Sequence, residues 1–332
     1  MQRTSGVLVV LLAALLFGSC GKKEQEQPTG SLTIAVIPKG TTHEFWKSIH
    51  AGANKAAQET GVEIIWKGPL KEDDREAQIS VVEDFVTRGV SGIVLAPLDE
   101  IALRAPVADA VRVNIPVVIM DSGLKSPDYV SFVATDNYAG GKLAAQRLTE
   151  LLGGKGKVIM LRYMEGSAST AAREQGFLDA IAAAGGMTVV SSNQYGGATT
   201  ETSYKASENL LSPFKKPDGS LSIDGIFAPN ESTAFGMLRA LQDGGIAGKV
   251  RFVGFDSSIK LVEALRKKEI DGLVLQNPVR MGYLAVKTMV QHLKGGQVEK
   301  RIDTGVAMIT PENMDQPEHK ELLEPDLSQW LK

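Results

Sequence analysis

Two aspartates stand at matching places in this chain. Ile115-Pro116-Val117-Val118-Ile119-Met120-Asp121-Ser122 is echoed by Val250-Arg251-Phe252-Val253-Gly254-Phe255-Asp256-Ser257, each an apolar run that stops on an acid. Each follows another run of similar wording, Gly92-Ile93-Val94-Leu95-Ala96-Pro97 early and Gly225-Ile226-Phe227-Ala228-Pro229-Asn230 late. In an open parallel α/β sheet, ligands bind outside the carboxyl ends of the strands, so two such carboxylates can face one cleft from opposite sides. The pair suits either the acid/base work of glycoside hydrolysis or the acceptance of hydrogen bonds from vicinal hydroxyls. Pro38-Lys39-Gly40-Thr41-Thr42-His43-Glu44-Phe45-Trp46 favours the second use, because it sets Phe45 and Trp46 just past a strand end. Apolar ring faces stack on the C–H faces of a sugar while polar groups serve its hydroxyls. No Gly-x-Ser-x-Gly elbow or nucleophilic cysteine occurs, and His43, His50, His292 and His319 lack metal-ligand spacing. A binding protein without enzymatic activity, cofactor or metal is expected.

The elements that must hold these residues alternate along the chain. Apolar runs at 32–38, 62–66, 93–96, 117–120 and 130–133 read as strands, with helical periodicity at 44–60, 74–88 and 98–113 between them. Gly61 and Gly89 end the first two helices. A second set runs from Asn137: helices at 137–152, 171–184, 200–211, 232–244 and 258–268 alternate with strands at 158–161, 188–192, 225–228, 251–255 and 272–275. A helix at 278–293 and a strand at 304–308 close the pattern. Such alternation predicts an α/β chain of two similar doubly wound parallel-sheet lobes. Gly153-Gly154-Lys155-Gly156 precedes a strand rather than a helix, so it reads as a surface turn and not a phosphate loop.

At 332 residues and a net charge of −3, the chain has room for two ordinary domains and no basic stripe for nucleic acid. Arg3, the apolar run 7–17 and Gly18-Ser19-Cys20 have the form of an export signal over residues 1–20, and that run is too short to span a bilayer. Cys20, the single cysteine, excludes an intramolecular disulfide and stands where a bacterial lipoprotein carries its lipid. Residues 21–30 are polar and read as a flexible tether. The expected location is the cell envelope, on the periplasmic side, lipid-anchored to a membrane.

Taken in order, the motifs resemble those of the ribose-type periplasmic sugar-binding proteins, extracytoplasmic relatives of the LacI-type regulator core, from residue 31 to about 310. Phe45-Trp46 falls on that family's aromatic pair and Asp121 on its first-lobe acid. Thr135-Asp136-Asn137-Tyr138-Ala139-Gly140-Gly141 matches the segment after the first crossover, and Arg173-Glu174-Gln175-Gly176-Phe177 matches the Arg-x-x-Gly-Phe whose Arg reaches the sugar. Asn230 lies in an Asn-Asp/Glu pair after a strand, Asp256 in a Gly-Phe-Asp turn and Gln276 at the last crossover. The resemblance implies a ligand-binding set of Lys39, His43, Phe45, Trp46, Asp121, Ser122, Arg173, Tyr195, Asn230, Asp256 and Gln276. Lys39 and His43 replace small or amide side chains of the ribose pattern, and Ser122 replaces a second Arg. Tyr195 is the nearest aromatic to the one the pattern has within 194–200, where a gapless reading gives Ala198. Ile37-Pro38-Lys39 and Lys67-Gly68-Pro69 also resemble the autoinducer-2 and rhamnose branch. These departures imply a sugar larger than ribose or differently oriented.

The resemblance further implies a monomeric substrate-binding component of an ABC importer that captures a monosaccharide or sugar-like molecule. Its partners would be the permease and ATPase, with a lipid anchor and no nucleic acid. A three-crossover hinge is expected, with an N-terminal lobe of residues 31–134 and 277–305 and a C-terminal lobe of 135–276 and 306–326. An extracytoplasmic sensor feeding a receptor is the alternative use of the same fold. A LacI-type regulator is disfavoured by an export signal where a helix-turn-helix would be needed.

Overall fold

The computed structural model describes residues 32–331, together with Gln2. The expected signal, tether and Cys20 fall on residues outside that range. The chain builds β1 (Thr33–Ile37), α1 (Glu44–Thr60), β2 (Glu63–Trp66), α2 (Arg75–Arg88), β3 (Gly92–Leu95), α3 (Arg104–Arg112), β4 (Val117–Met120) and β5 (Ser131–Ala134). It continues with α4 (Asn137–Leu151), β6 (Gly156–Arg162), α5 (Ala168–Ala183), β7 (Met187–Tyr195), α6 (Thr200–Leu211), β8 (Gly225–Phe227), α7 (Glu231–Asp243), β9 (Arg251–Phe255), α8 (Ile259–Arg266) and β10 (Gly272–Gln276). Then come α9 (Pro278–Leu293), β11 (Arg301–Asp303), β12 (Val306–Ile309) and α10 (Pro317–Leu323).

Two sheets result, ordered β11-β5-β4-β3-β1-β2 and β12-β10-β9-β8-β6-β7. The first is parallel throughout; in the second, only β12 runs antiparallel, against β10. Position by position the two orders correspond, so each sheet carries its own lobe. The chain passes between sheets after β5, after β10 and between β11 and β12.

Strands covered on both faces explain the unbroken apolar runs. In β1, Ile34 and Val36 pack with α1 and α9, through Ile49, Met281 and Val286. Ala35 and Ile37 point the other way, onto Val82 and Phe85 of α2 and Val107 of α3. Helix pairs within each lobe approach closely where glycine leaves out the side chain. A Cβ on Gly52 would lie 1.9 Å from the Val279 carbonyl, and one on Gly141 would lie 1.9 Å from that of Arg173.

Two sequence expectations change, and two short elements were not foreseen. The helix expected over 98–113 begins only at Arg104. Pro106 clashes with the carbonyl four residues back unless it lies in the first turn, and the Asp99 carboxylate holds a turn by accepting from the N–H groups of Ile101 and Ala102. The strand expected over 304–308 begins only at Val306, as β12, after Gly305 with φ 88°, and the short β11 just before it, in the other sheet, was not expected. Helix α10 carried no periodic signal long enough to be read. Leu323 at its end is buried in the second lobe's core.

Candidate functional site

The two aspartates that end β4 and β9 share an uncommon backbone. Asp121 has φ 61° and Asp256 φ 66°, the left-handed region that non-glycine residues rarely adopt and that Asp tolerates better than most. Their N–H groups make equivalent bonds, Asp121 to the Val133 carbonyl of β5 at 3.0 Å and Asp256 to the Val274 carbonyl of β10 at 2.9 Å. Each strand is thus turned sharply at its end and its carboxylate delivered into the cleft. Strain of this kind costs about 1–3 kcal/mol per residue and persists where surrounding structure fixes it.

Around them, strand ends of both lobes converge. The loop after β1 brings Lys39 and His43, the start of α1 brings Phe45 and Trp46, and the loop before α2 brings Glu72. From the second lobe come Tyr163 past β6, Ser169, Thr170 and Arg173 on α5, Asn230 and Glu231 past β8, Asp256, and Gln276 at the end of β10. These side chains enclose a cavity of about 20 Å³, room for roughly one water molecule. A larger cavity of about 350 Å³ adjoins it, sharing Phe45, Asp256 and Gln276 and bounded on the far side by Leu322, Pro325 and Leu327.

Cations and carboxylates alternate around this cavity. Lys39 Nζ lies 3.1 Å from Asp121 Oδ2 and donates to Ser169 Oγ at 3.0 Å and Ser167 Oγ at 3.3 Å. His43 Nδ1 lies 2.6 Å from Glu72 Oε1. Burial works against charge on His43, but the Glu72 carboxylate outweighs it and lifts the imidazole to about 9. Burial likewise works against charge on Glu72, and His43 overrides it to bring that carboxyl down to about 2. Arg173 is 2 % exposed. Its Nε donates to Asn137 Oδ1 at 2.7 Å, its Nη1 donates to the Pro229 carbonyl at 2.8 Å and lies 3.7 Å from Asp256 Oδ2, and its carbon Cζ lies 3.9 Å from the centre of the Phe255 ring. Burial nonetheless pushes the Asp256 carboxyl up, against the pull of Arg173. Gln276 donates from Nε2 to Asp256 Oδ1 at 2.8 Å, and its Oε1 is a buried acceptor without a partner.

The lobes touch through these same elements. Glu231 of α7 accepts from the N–H groups of Glu44 and Phe45 at 3.3 and 3.2 Å, a carboxylate at the positive end of α1. Glu44 in turn accepts from Ile259 N–H, at the start of α8, at 3.2 Å. Burial pushes Glu231 up to about 7, with His43 opposing and Asp256 adding to the rise.

Of the residues singled out in the sequence, Lys39, His43, Phe45, Trp46, Asp121, Arg173, Asn230, Asp256 and Gln276 line the cavity together. Ser122 lies one step behind it, fully buried, with Oγ accepting from Ser169 N–H at 3.1 Å. Tyr195 is outside the lining; its ring packs against the Arg162 guanidinium at 4.8 Å, and Arg162 is held by Glu174 at 2.7 Å. The second-lobe aromatic of the cavity is Tyr163, which sequence reasoning missed. Glu72, Ser169, Thr170 and Glu231 were also missed. Glu72 is the one buried acid in a run whose neighbours Asp73 and Asp74 are exposed, and that difference leaves no mark on the sequence.

Comparison with known proteins follows this geometry. Residues 34–297 match the family model of the periplasmic binding protein domain. A ribose import binding protein of Haemophilus influenzae is 31% identical over 304 residues, 91% of this chain and 99% of its own length. A carbohydrate transporter solute binding protein from Agrobacterium radiobacter, solved with D-arabinose, is 34% identical with a TM-score of 0.84, over 89% of this chain and 99% of its own. An ABC transporter solute binding protein from Agrobacterium vitis with bound D-fucose is 37% identical with a TM-score of 0.82, over 88% of this chain and 99% of its own.

Proposed function

The chain belongs to the periplasmic binding protein family, and from that premise we propose that it is the solute-binding component of an ABC importer, taking a monosaccharide between its lobes. The family is one of transporter binding proteins, not enzymes. The observation that carries the reading is the pair of strained strand-end aspartates, one per lobe, converging with Arg173, Asn230 and Gln276 on one cavity. Carboxylates that accept, a guanidinium that donates and amides that do both suit the hydroxyls of one epimer, and the unpartnered Gln276 Oε1 is placed to accept from one of them. Each cation in the site already faces a carboxylate, which favours an uncharged ligand.

A cavity of about 20 Å³ cannot hold a sugar. Entry therefore requires the lobes to part about the three crossovers, and closure then trades the Lys39–Asp121 and Arg173–Asp256 contacts partly for bonds to ligand. Hinge closure around a ligand is driven only by ligand that prefers the closed form. In this reading the chain acts in the periplasm as a monomer, held to the membrane by a lipid on Cys20, and presents its closed surface to the permease and its ATPase.

Isothermal titration with D-ribose, D-arabinose, D-fucose, D-allose and L-rhamnose tests the proposal. Saturable one-to-one binding of at least one sugar, lost in Asp256→Ala, is the expected result. Heat-silent titrations across the panel, with no shift in melting temperature, would remove the sugar reading.

A further inference from the structure

One corner of the cavity is built around Glu72, outside the residues that the sequence assigned to the ligand. Its carboxylate accepts three bonds: Trp46 Nε1–H at 2.7 Å, His43 Nδ1–H at 2.6 Å and, from the opposite lobe, Tyr163 O–H at 2.6 Å. Both Glu72 and Tyr163 are buried, 6 % and 1 % exposed. Tyr163 is anchored from behind as well, because its N–H donates to the buried Glu174 carboxylate at 3.0 Å. The two side chains thus meet as a fixed wall when the lobes meet.

The donor count decides what this wall offers. Trp46 has one N–H and Tyr163 one O–H, and both are spent on Glu72. What remains for a ligand here is two ring faces, the phenol oxygen as an acceptor and the second imidazole nitrogen of His43. Glu72, with three of its roughly four acceptor positions filled, has little left for a ligand hydroxyl. A hydroxymethyl arm pushed into this corner would lose its solvating water without a full set of partners, the situation in which sites discriminate most strongly. A bare ring carbon or a methyl group would pack against the rings instead.

We propose that Glu72 and Tyr163 form a cross-lobe specificity wall that selects a pentopyranose or 6-deoxyhexose over the hexose bearing a free hydroxymethyl group. The inference rests on the sugar-importer reading and adds the substrate class to it.

The test compares sugars that share ring configuration and differ only in the exocyclic substituent: L-arabinose, D-fucose and D-galactose; D-arabinose, L-fucose and L-galactose; D-ribose, 6-deoxy-D-allose and D-allose; D-xylose, 6-deoxy-D-glucose and D-glucose. Titration of the full chain should show, in whichever series binds, the hexose weaker than its deoxy or pentose counterpart by roughly tenfold or more. Tyr163→Phe exchanges the phenol oxygen for a free position on the Glu72 carboxylate, a charged and stronger acceptor, so the hexose-to-deoxyhexose affinity ratio should rise by about tenfold. Glu72→Gln keeps the shape of the side chain but replaces one acceptor oxygen by a donor, and it should move the same ratio. A loss of stability alone would weaken all sugars alike and leave the ratio fixed. A wild type that prefers the hexose, or variants that leave the ratio where it was, would overturn the wall while leaving the importer reading intact. A wild type that binds no sugar in any series removes both.

Discussion

Arg173→Met removes a buried guanidinium and keeps most of its stem. The structure sets the size of the effect. Arg173 is 2 % exposed, and its loss strips partners from Asn137 Oδ1, the Pro229 carbonyl and the Asp256 carboxylate. Its stacking on Phe255 goes as well. Removing one partner of a buried pair costs about 3–5 kcal/mol, because the other charge stays behind. Asp256 has an escape: burial already pushes its carboxyl up, and without Arg173 it can take a proton. Protonation becomes easier as the pH falls, so the penalty is smaller in acid. The expected loss is therefore about 3–4 kcal/mol at pH 7 and smaller at pH 5. Urea unfolding followed by far-ultraviolet circular dichroism measures both, with Asp256→Asn and the double variant completing a cycle. The coupling energy between the two sites should exceed about 1 kcal/mol. A loss at pH 7 below about 1 kcal/mol, or an equal loss at both pH values with additive single effects, would refute the view that Arg173 compensates Asp256.

Two further outcomes follow from the same geometry. His43, lifted to about 9 from 6.5, contributes stability that is full below pH 6.5 and lost as pH rises through 9. Glu231, raised to about 7 from 4.5, contributes in the same direction, full below 4.5 and lost on rising through 7; the melting temperature should therefore fall from pH 6 to pH 9.5, and His43→Gln should flatten the upper part of that fall. Gly52→Ala puts a methyl 1.9 Å from the Val279 carbonyl between α1 and α9, so the helices must separate; a destabilisation of roughly 2–4 kcal/mol by urea unfolding is expected, and a variant as stable as wild type would show that the helices can move apart freely.

Much of this protein was legible in its residues. Alternating strand and helix signals gave both sheets, because buried parallel strands need apolar residues on both faces and their helices need one apolar side. Asp121 and Asp256 were visible as a repeat, and their left-handed backbone explains why an acid recurs at that turn. The helix expected at residue 98 was drawn too long because its apolar pattern runs on through Pro106, which limits where the helix can start.

Partnership across the cleft was not legible. Glu72 and Tyr163 are 91 positions apart, and Glu231 and Phe45 186 apart, yet each pair is joined by a hydrogen bond. Periodicity reports which face of an element is covered, not which side chain of the other lobe covers it. Tyr195 was singled out by its place in a resemblance, but the end of β7 turns its ring onto Arg162. The sequence by itself determined the fold, the duplicated strand ends and most of the charged lining, since those follow from local pattern. Only the tertiary structure decided which aromatic closes the second lobe and which acid clamps it, because a buried carboxylate differs from an exposed one only in what the rest of the chain brings to it.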